Sequence, residues 1–68
     1  MLCIVTKSQS EFVTYTVKNK IEGAMRVYDP DHLRGLKNVN LVFLPRTFKE
    51  FSPAQVYEFV RISIFSHI

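Results

Sequence analysis

One cysteine, two glycines, three prolines and no tryptophan are found in this chain of 68 residues. Each scarcity excludes something. A single cysteine cannot close an internal disulfide, and with only two histidines there is no Cys/His framework for structural zinc. Two glycines cannot build a glycine-rich loop that cradles phosphates, and no Gly-x-Ser-x-Gly nucleophile turn is present. No apolar run approaches the ~18–20 residues a membrane-spanning helix needs. The apolar stretch Leu2–Val5 is too short for the core of a secretory signal. The expected address is therefore the cytoplasm, with no membrane partner.

What is present points to a folded chain. Apolar residues make up 47% and charged residues 22%, with a net charge of +3, which is too apolar and too balanced for disorder. The length sets one small domain over residues 1–68. A domain this short buries only about 60% of the surface its unfolded chain exposes. It nevertheless carries nine aromatics, six Phe and three Tyr. They cannot all be buried in so small a volume, so some lie exposed or are covered by another chain.

Along the chain, Leu2–Lys7 is a short β-rich run. Ser8–Glu11 is polar and turn-like. Phe12–Val17 is entirely β-branched or aromatic and gives the clearest strand pattern, in hairpin spacing with the first run. Asn19-Lys20 offers a tight turn, and a weaker strand follows at about Ala24–Tyr28. Asp29-Pro30 begins a helical turn that Gly35 can end. Asn38–Leu44 holds a continuous apolar run, the pattern of a strand buried on both faces, and Pro45 stops it.

The strongest local signal is Ser52-Pro53-Ala54-Gln55, a capping box with proline at the first helical position. Phe51 and Val56 flank it in hydrophobic-staple spacing. A helix is expected from Pro53 to about Ser66, although Val60, Ile62 and Ile64 also alternate as a strand would. On a helical wheel Val56, Tyr57, Phe59, Val60 and Ile64 share one broad face, and Ile62 and Phe65 fall on the polar side. The expected fold is α+β: a mostly antiparallel sheet of three or four strands, with one C-terminal helix packed on one face.

Three functional readings compete. The first is a non-enzymatic interaction protein, an accessory or inhibitor protein of the kind phages and plasmids encode. It would self-associate or bind a larger partner through the C-terminal helix, using Tyr57, Arg61, Ile62 and Phe65. The second is a small basic nucleic-acid-binding protein using Lys18, Lys20, Arg26, Lys37 and Arg46, which are interleaved with aromatics. The third is an enzyme or metal site built on Asp29, Asp31 and His32. A capped helical turn accounts for all three of those residues. His67 lies too near the chain end for a positioned catalytic base. No catalytic residue, metal ligand or cofactor is assigned from the sequence.

Overall fold

The computed structural model describes all residues, Met1–Ile68. Three strands and three helices follow in this order: β1 (Leu2–Val5), α1 (Gln9–Lys18), β2 (Met25–Val27), a 3-10 turn (Pro30–Leu33), β3 (Asn40–Phe43), α2 (Thr47–Glu50) and α3 (Pro53–Phe65). The sheet order is β2-β1-β3, and both pairings are parallel. The expected antiparallel sheet is thus overturned, and for the β1–β2 pair the reason lies in one segment. Phe12–Val17, read as the second strand of a hairpin, is the body of helix α1. Once that segment is a crossover helix, the strands it joins run in the same direction.

The ends of α1 override its β-branched interior. Ser8 is the N-cap, and its Oγ accepts the Glu11 N–H at 3.1 Å. Thr6 Oγ1 accepts the Ser8 N–H at 3.1 Å. Ser8-x-x-Glu11 is itself a capping-box spacing, so the helix start was written in residues that look like a turn. At the other end, Lys20 N–H donates to Val17 C=O at 3.2 Å and Ile21 N–H donates to Thr16 C=O at 2.9 Å. That pair of bonds is a Schellman motif. It places Lys20 in the left-handed region, at φ 52°, where glycine is usual. Lys20→Gly should therefore raise stability by roughly 0.5–1 kcal/mol, the left-handed strain relieved less the added chain entropy. A higher urea midpoint at unchanged m-value would show it.

The register aligns Cys3 with Met25 and Leu41, and Val5 with Val27 and Phe43. Alternation puts these residues on one face of the sheet and Leu2, Ile4, Arg26, Asn40 and Val42 on the other. The first face carries the core: Cys3, Val5 and Val27 cluster with Leu33, Val39, Phe51 and Phe59. Helix α3 covers this face. On the opposite face Ile4 is fully buried, and Arg26 reaches α1 through Gln9. The C-terminal helix packs on one face as expected, and a second helix lies on the other.

The doubly buried strand is β1, with Cys3, Ile4 and Val5 all inaccessible. The apolar run at Asn38–Leu44 instead forms an edge strand, whose residues Leu41–Phe43 are half-buried. Thr47, fully buried at the start of α2, donates its hydroxyl to the Val5 C=O at 2.7 Å and ties this short helix to the end of β1.

Helix α3 follows its capping signals. Ser52 Oγ accepts the Gln55 N–H at 3.2 Å, and Gln55 Oε1 accepts the Ser52 N–H at 3.0 Å. Its buried stripe differs from the one the wheel gave. Phe59 is fully buried, Val56 and Ile62 pack against the core, and Ser66 is buried. Val60 and Ile64 face outward. Polar groups cause the rotation. Val39, just before β3, is buried and needs hydrogen-bond partners for its backbone. Ser66 Oγ accepts its N–H at 2.9 Å, and its C=O accepts the Ser63 hydroxyl at 3.1 Å. Seating these serines against β3 turns Val60 and Ile64 to the surface.

Candidate interaction surface

The four residues expected to form an interface do not form one patch. Ile62 belongs to the core side of α3. Arg61 is half-buried and holds Glu58 in a bidentate pair, with Nη2 to Oε2 at 2.7 Å and Nε to Oε1 at 3.3 Å. The hydrogen bond from Arg61 pulls the Glu58 carboxyl below its ordinary range, and the same bond raises Arg61. The Arg61 guanidinium also lies 5.9 Å from the Phe65 ring centre. Both line a groove of about 380 Å³ with Arg34, Leu36 and Lys37. Tyr57 projects at the other end of the helix, beside Phe48 and Val56.

What the wheel missed is the band these residues flank. Exposure is 66% at Tyr57, 38% at Val60, 61% at Ile64, 59% at Phe65 and 85% at Ile68. Val60 and Ile64 border a second groove, about 360 Å³, whose opposite wall is Leu41 and Phe43 of β3. Phe48 continues this surface past the end of β3, stacked on Phe43 at 6.0 Å between centres and 66% exposed. An outer strand and an apolar helix side thus meet along one flank of the molecule.

The signal in the sequence was the pair of serines. Placing Ser63 and Ser66 on the buried stripe would have turned Val60 and Ile64 outward and Ile62 inward.

The basic residues are dispersed. Lys18 and Arg46 border one groove, Lys20 another and Lys37 a third. Arg26 is held inside the chain. Its Nε donates to Gln9 Oε1 at 2.9 Å, its Nη1 donates to the Lys7 C=O at 3.2 Å, and its guanidinium lies 4.6 Å from the Tyr28 ring centre. Arg46 pairs with Glu11 at 3.1 Å.

The Asp29–His32 segment is turned to local partners. Asp29 Oδ1 accepts the Asp31 N–H at 2.9 Å and caps the 3-10 turn. Asp31 pairs with Arg34 at 2.6 Å. His32 lies edge-on to Tyr28, with ring centres 4.5 Å apart. No three His, Cys, Asp or Glu side chains come together anywhere in the fold as a set that could hold a metal ion.

In parallel sheets, ligands usually bind beyond the carboxyl ends of the strands. Here the chain fills that end itself. Lys7 N–H donates to Glu50 Oε2 at 3.0 Å, Thr6 Oγ1 donates to Glu11 Oε2 at 3.3 Å, and no buried side-chain polar atom is left without a partner.

Cys3 is fully buried, and burial pushes its thiol up against a smaller downward pull from the N-terminal ammonium. A thiol reagent at neutral pH should therefore modify it only through unfolding. Labelling should accelerate sharply across the urea transition. Fast labelling of native protein would contradict this placement of β1.

No helix is long and apolar enough to cross a membrane. No protein-family model, curated protein or solved structure matches the chain.

Proposed function

We propose that this chain is a non-enzymatic interaction protein that binds another polypeptide through the flank formed by β3 and α3. One observation carries the reading. The outer edge of β3 lies beside Val60 and Ile64, and this apolar surface extends to Phe48 and Tyr57. An exposed edge strand invites pairing, and natural chains usually blunt one with charge, proline or shortness. The β3 edge is short and Pro45 closes its far end, but the side chains beside its open stretch are aliphatic and aromatic rather than charged. A contiguous apolar patch on a small domain marks a contact site.

Sedimentation over a hundredfold concentration range tests this. The weight-average mass should rise from 8.0 kDa toward twice that value. Ile64→Asp, at a solvent-facing position, should hold the chain monomeric without shifting its unfolding midpoint at dilutions where the parent chain is itself monomeric. A chain that stays monomeric at the highest concentration, with Ile64→Asp indistinguishable from it, would exclude self-association and leave only a different polypeptide as the partner. The nucleic-acid alternative makes a separate prediction, binding to oligonucleotides that weakens steeply with added salt.

A further inference from the structure

We infer that the partner on this flank is a second copy of the chain, joined by antiparallel pairing of the two β3 strands about a two-fold axis at Val42. This rests on the interaction reading above and specifies its occupant.

The backbone of β3 sets the geometry. Asn40 N–H donates to the Met1 C=O at 2.8 Å, so Asn40 and Val42 point their backbone groups at β1. The alternate residues Val39, Leu41 and Phe43 point theirs away from the sheet. Val39 is already taken: Ser66 accepts its N–H, while Ser63 and His67 Nε2, the latter at 2.8 Å, hold its C=O. Beyond Phe43, the next outward position is Pro45, which has no N–H. The open edge is therefore Leu41 and Phe43, symmetric about Val42.

That edge is complementary to itself. In an antiparallel pair centred on Val42, Leu41 faces Phe43 of the second copy and Phe43 faces its Leu41. Each such pair exchanges two N–H···O=C bonds. The arrangement uses every outward donor and acceptor, closes with two-fold symmetry and leaves nothing to propagate. The other edge of the sheet offers no equivalent. Val27 C=O accepts the Thr6 N–H, so in β2 only Arg26 faces outward, and its guanidinium is engaged within the chain.

Area bounds how much of the flank a specific dimer must use. Stable interfaces bury about 800 Å² per partner. The whole chain exposes 4589 Å². Two residues of strand pairing do not reach the required area, so Phe48, Val60 and Ile64 must meet their copies beside the strands. Because Ser63, Ser66 and His67 adjoin the start of β3 while Phe59 adjoins Phe43, α3 runs antiparallel to its own β3. The two-fold axis then sets the two α3 helices antiparallel across the new junction. The expected dimer is weak and concentration-dependent, at the small end of specific interfaces.

Val42→Cys tests the register. Val42 and its copy form a non-hydrogen-bonded pair with Cα atoms about 4.5 Å apart, within disulfide range. Mild oxidation should give a covalent dimer on a non-reducing gel. Asn40→Cys faces Leu44 of the second copy, and its own counterpart lies about 13 Å along the strand. It should cross-link at least tenfold more slowly. In the unmodified chain, the Leu41 and Phe43 amides should gain protection from hydrogen exchange as concentration rises. A chain that dimerises while these amides exchange freely and the two cysteine variants cross-link alike would overturn the β3 register and leave the interaction surface standing. A chain that never dimerises and never cross-links would overturn the second copy as the occupant of this flank.

Discussion

Phe59→Ala is expected to leave the chain largely unfolded at 25 °C. Phe59 is fully buried, packed edge-to-face on Phe51 at 5.3 Å and on Phe43 at 6.5 Å between ring centres. It lies where α3, the connection into α3 and the edge strand converge. Removing a buried phenyl ring costs about 3–5 kcal/mol, because the transfer free energy is lost and the cavity collapses only in part. A core in a domain this small supplies roughly 3–5 kcal/mol in all. The two figures are equal within their spread, so the variant should show a loss of cooperative urea unfolding by circular dichroism. Val60→Ala on the same helix should shift stability by no more than about 0.5 kcal/mol, since that side chain faces solvent. Similar effects from the two variants would mean that α3 is rotated from the orientation described.

Ser66→Ala should destabilise the fold by about 1–3 kcal/mol, far more than its size suggests. Its Oγ accepts the N–H of buried Val39 at 2.9 Å and donates to the Ser63 C=O at 2.6 Å. Its backbone C=O accepts the Asn38 N–H at 2.9 Å. The methyl group of alanine would leave the Val39 donor buried without a partner, which incurs the full desolvation penalty of that group. Equilibrium urea unfolding reads the loss directly. Ser52→Ala, which removes the N-cap of the same helix, should cost about 1 kcal/mol. A Ser66→Ala variant as stable as the parent would show that the end of α3 does not seal the start of β3.

The contrast between α1 and α3 shows what was legible before the fold was known. Both helices begin with a serine cap and a Glu or Gln three residues on. In α3 the cap is followed by proline, and the signal stood out. In α1 the same spacing is followed by Phe12-Val13-Thr14-Tyr15-Thr16-Val17, whose side chains favour strands when local preference alone decides. Helix propensities differ by only a few tenths of a kcal/mol among such residues. A cap at one end and a Schellman motif at the other outweigh that, and so does the crossover a parallel β1–β2 pair requires. Within the helix the Thr16 hydroxyl is satisfied by donating back to the Phe12 C=O at 3.0 Å. Taken as a strand, this one segment would make an antiparallel hairpin with β1 where the helix makes β1 and β2 a parallel pair.

The candidate surface was half legible. Exposed aromatic and aliphatic residues on α3 followed from the imbalance between aromatic count and chain length, and Tyr57 and Phe65 do lie exposed. Which aliphatic residues join them did not follow. Wheel reasoning assigns apolar side chains to the core and serines to water, whereas Ser63 and Ser66 are drawn inward by an edge-strand backbone that no local pattern reveals. The open edge of β3 was equally invisible. Strand order is a property of long-range pairing, and a continuous apolar run suits a central or an edge strand alike.

A dilution series of amide proton–nitrogen spectra, from millimolar to tens of micromolar, tests association through the β3–α3 flank most directly. The account predicts shift changes on dilution at Leu41, Phe43, Val60 and Ile64, with Lys18, Lys20 and Arg26 unchanged. Spectra that do not depend on concentration, or changes confined to those basic residues, would contradict it.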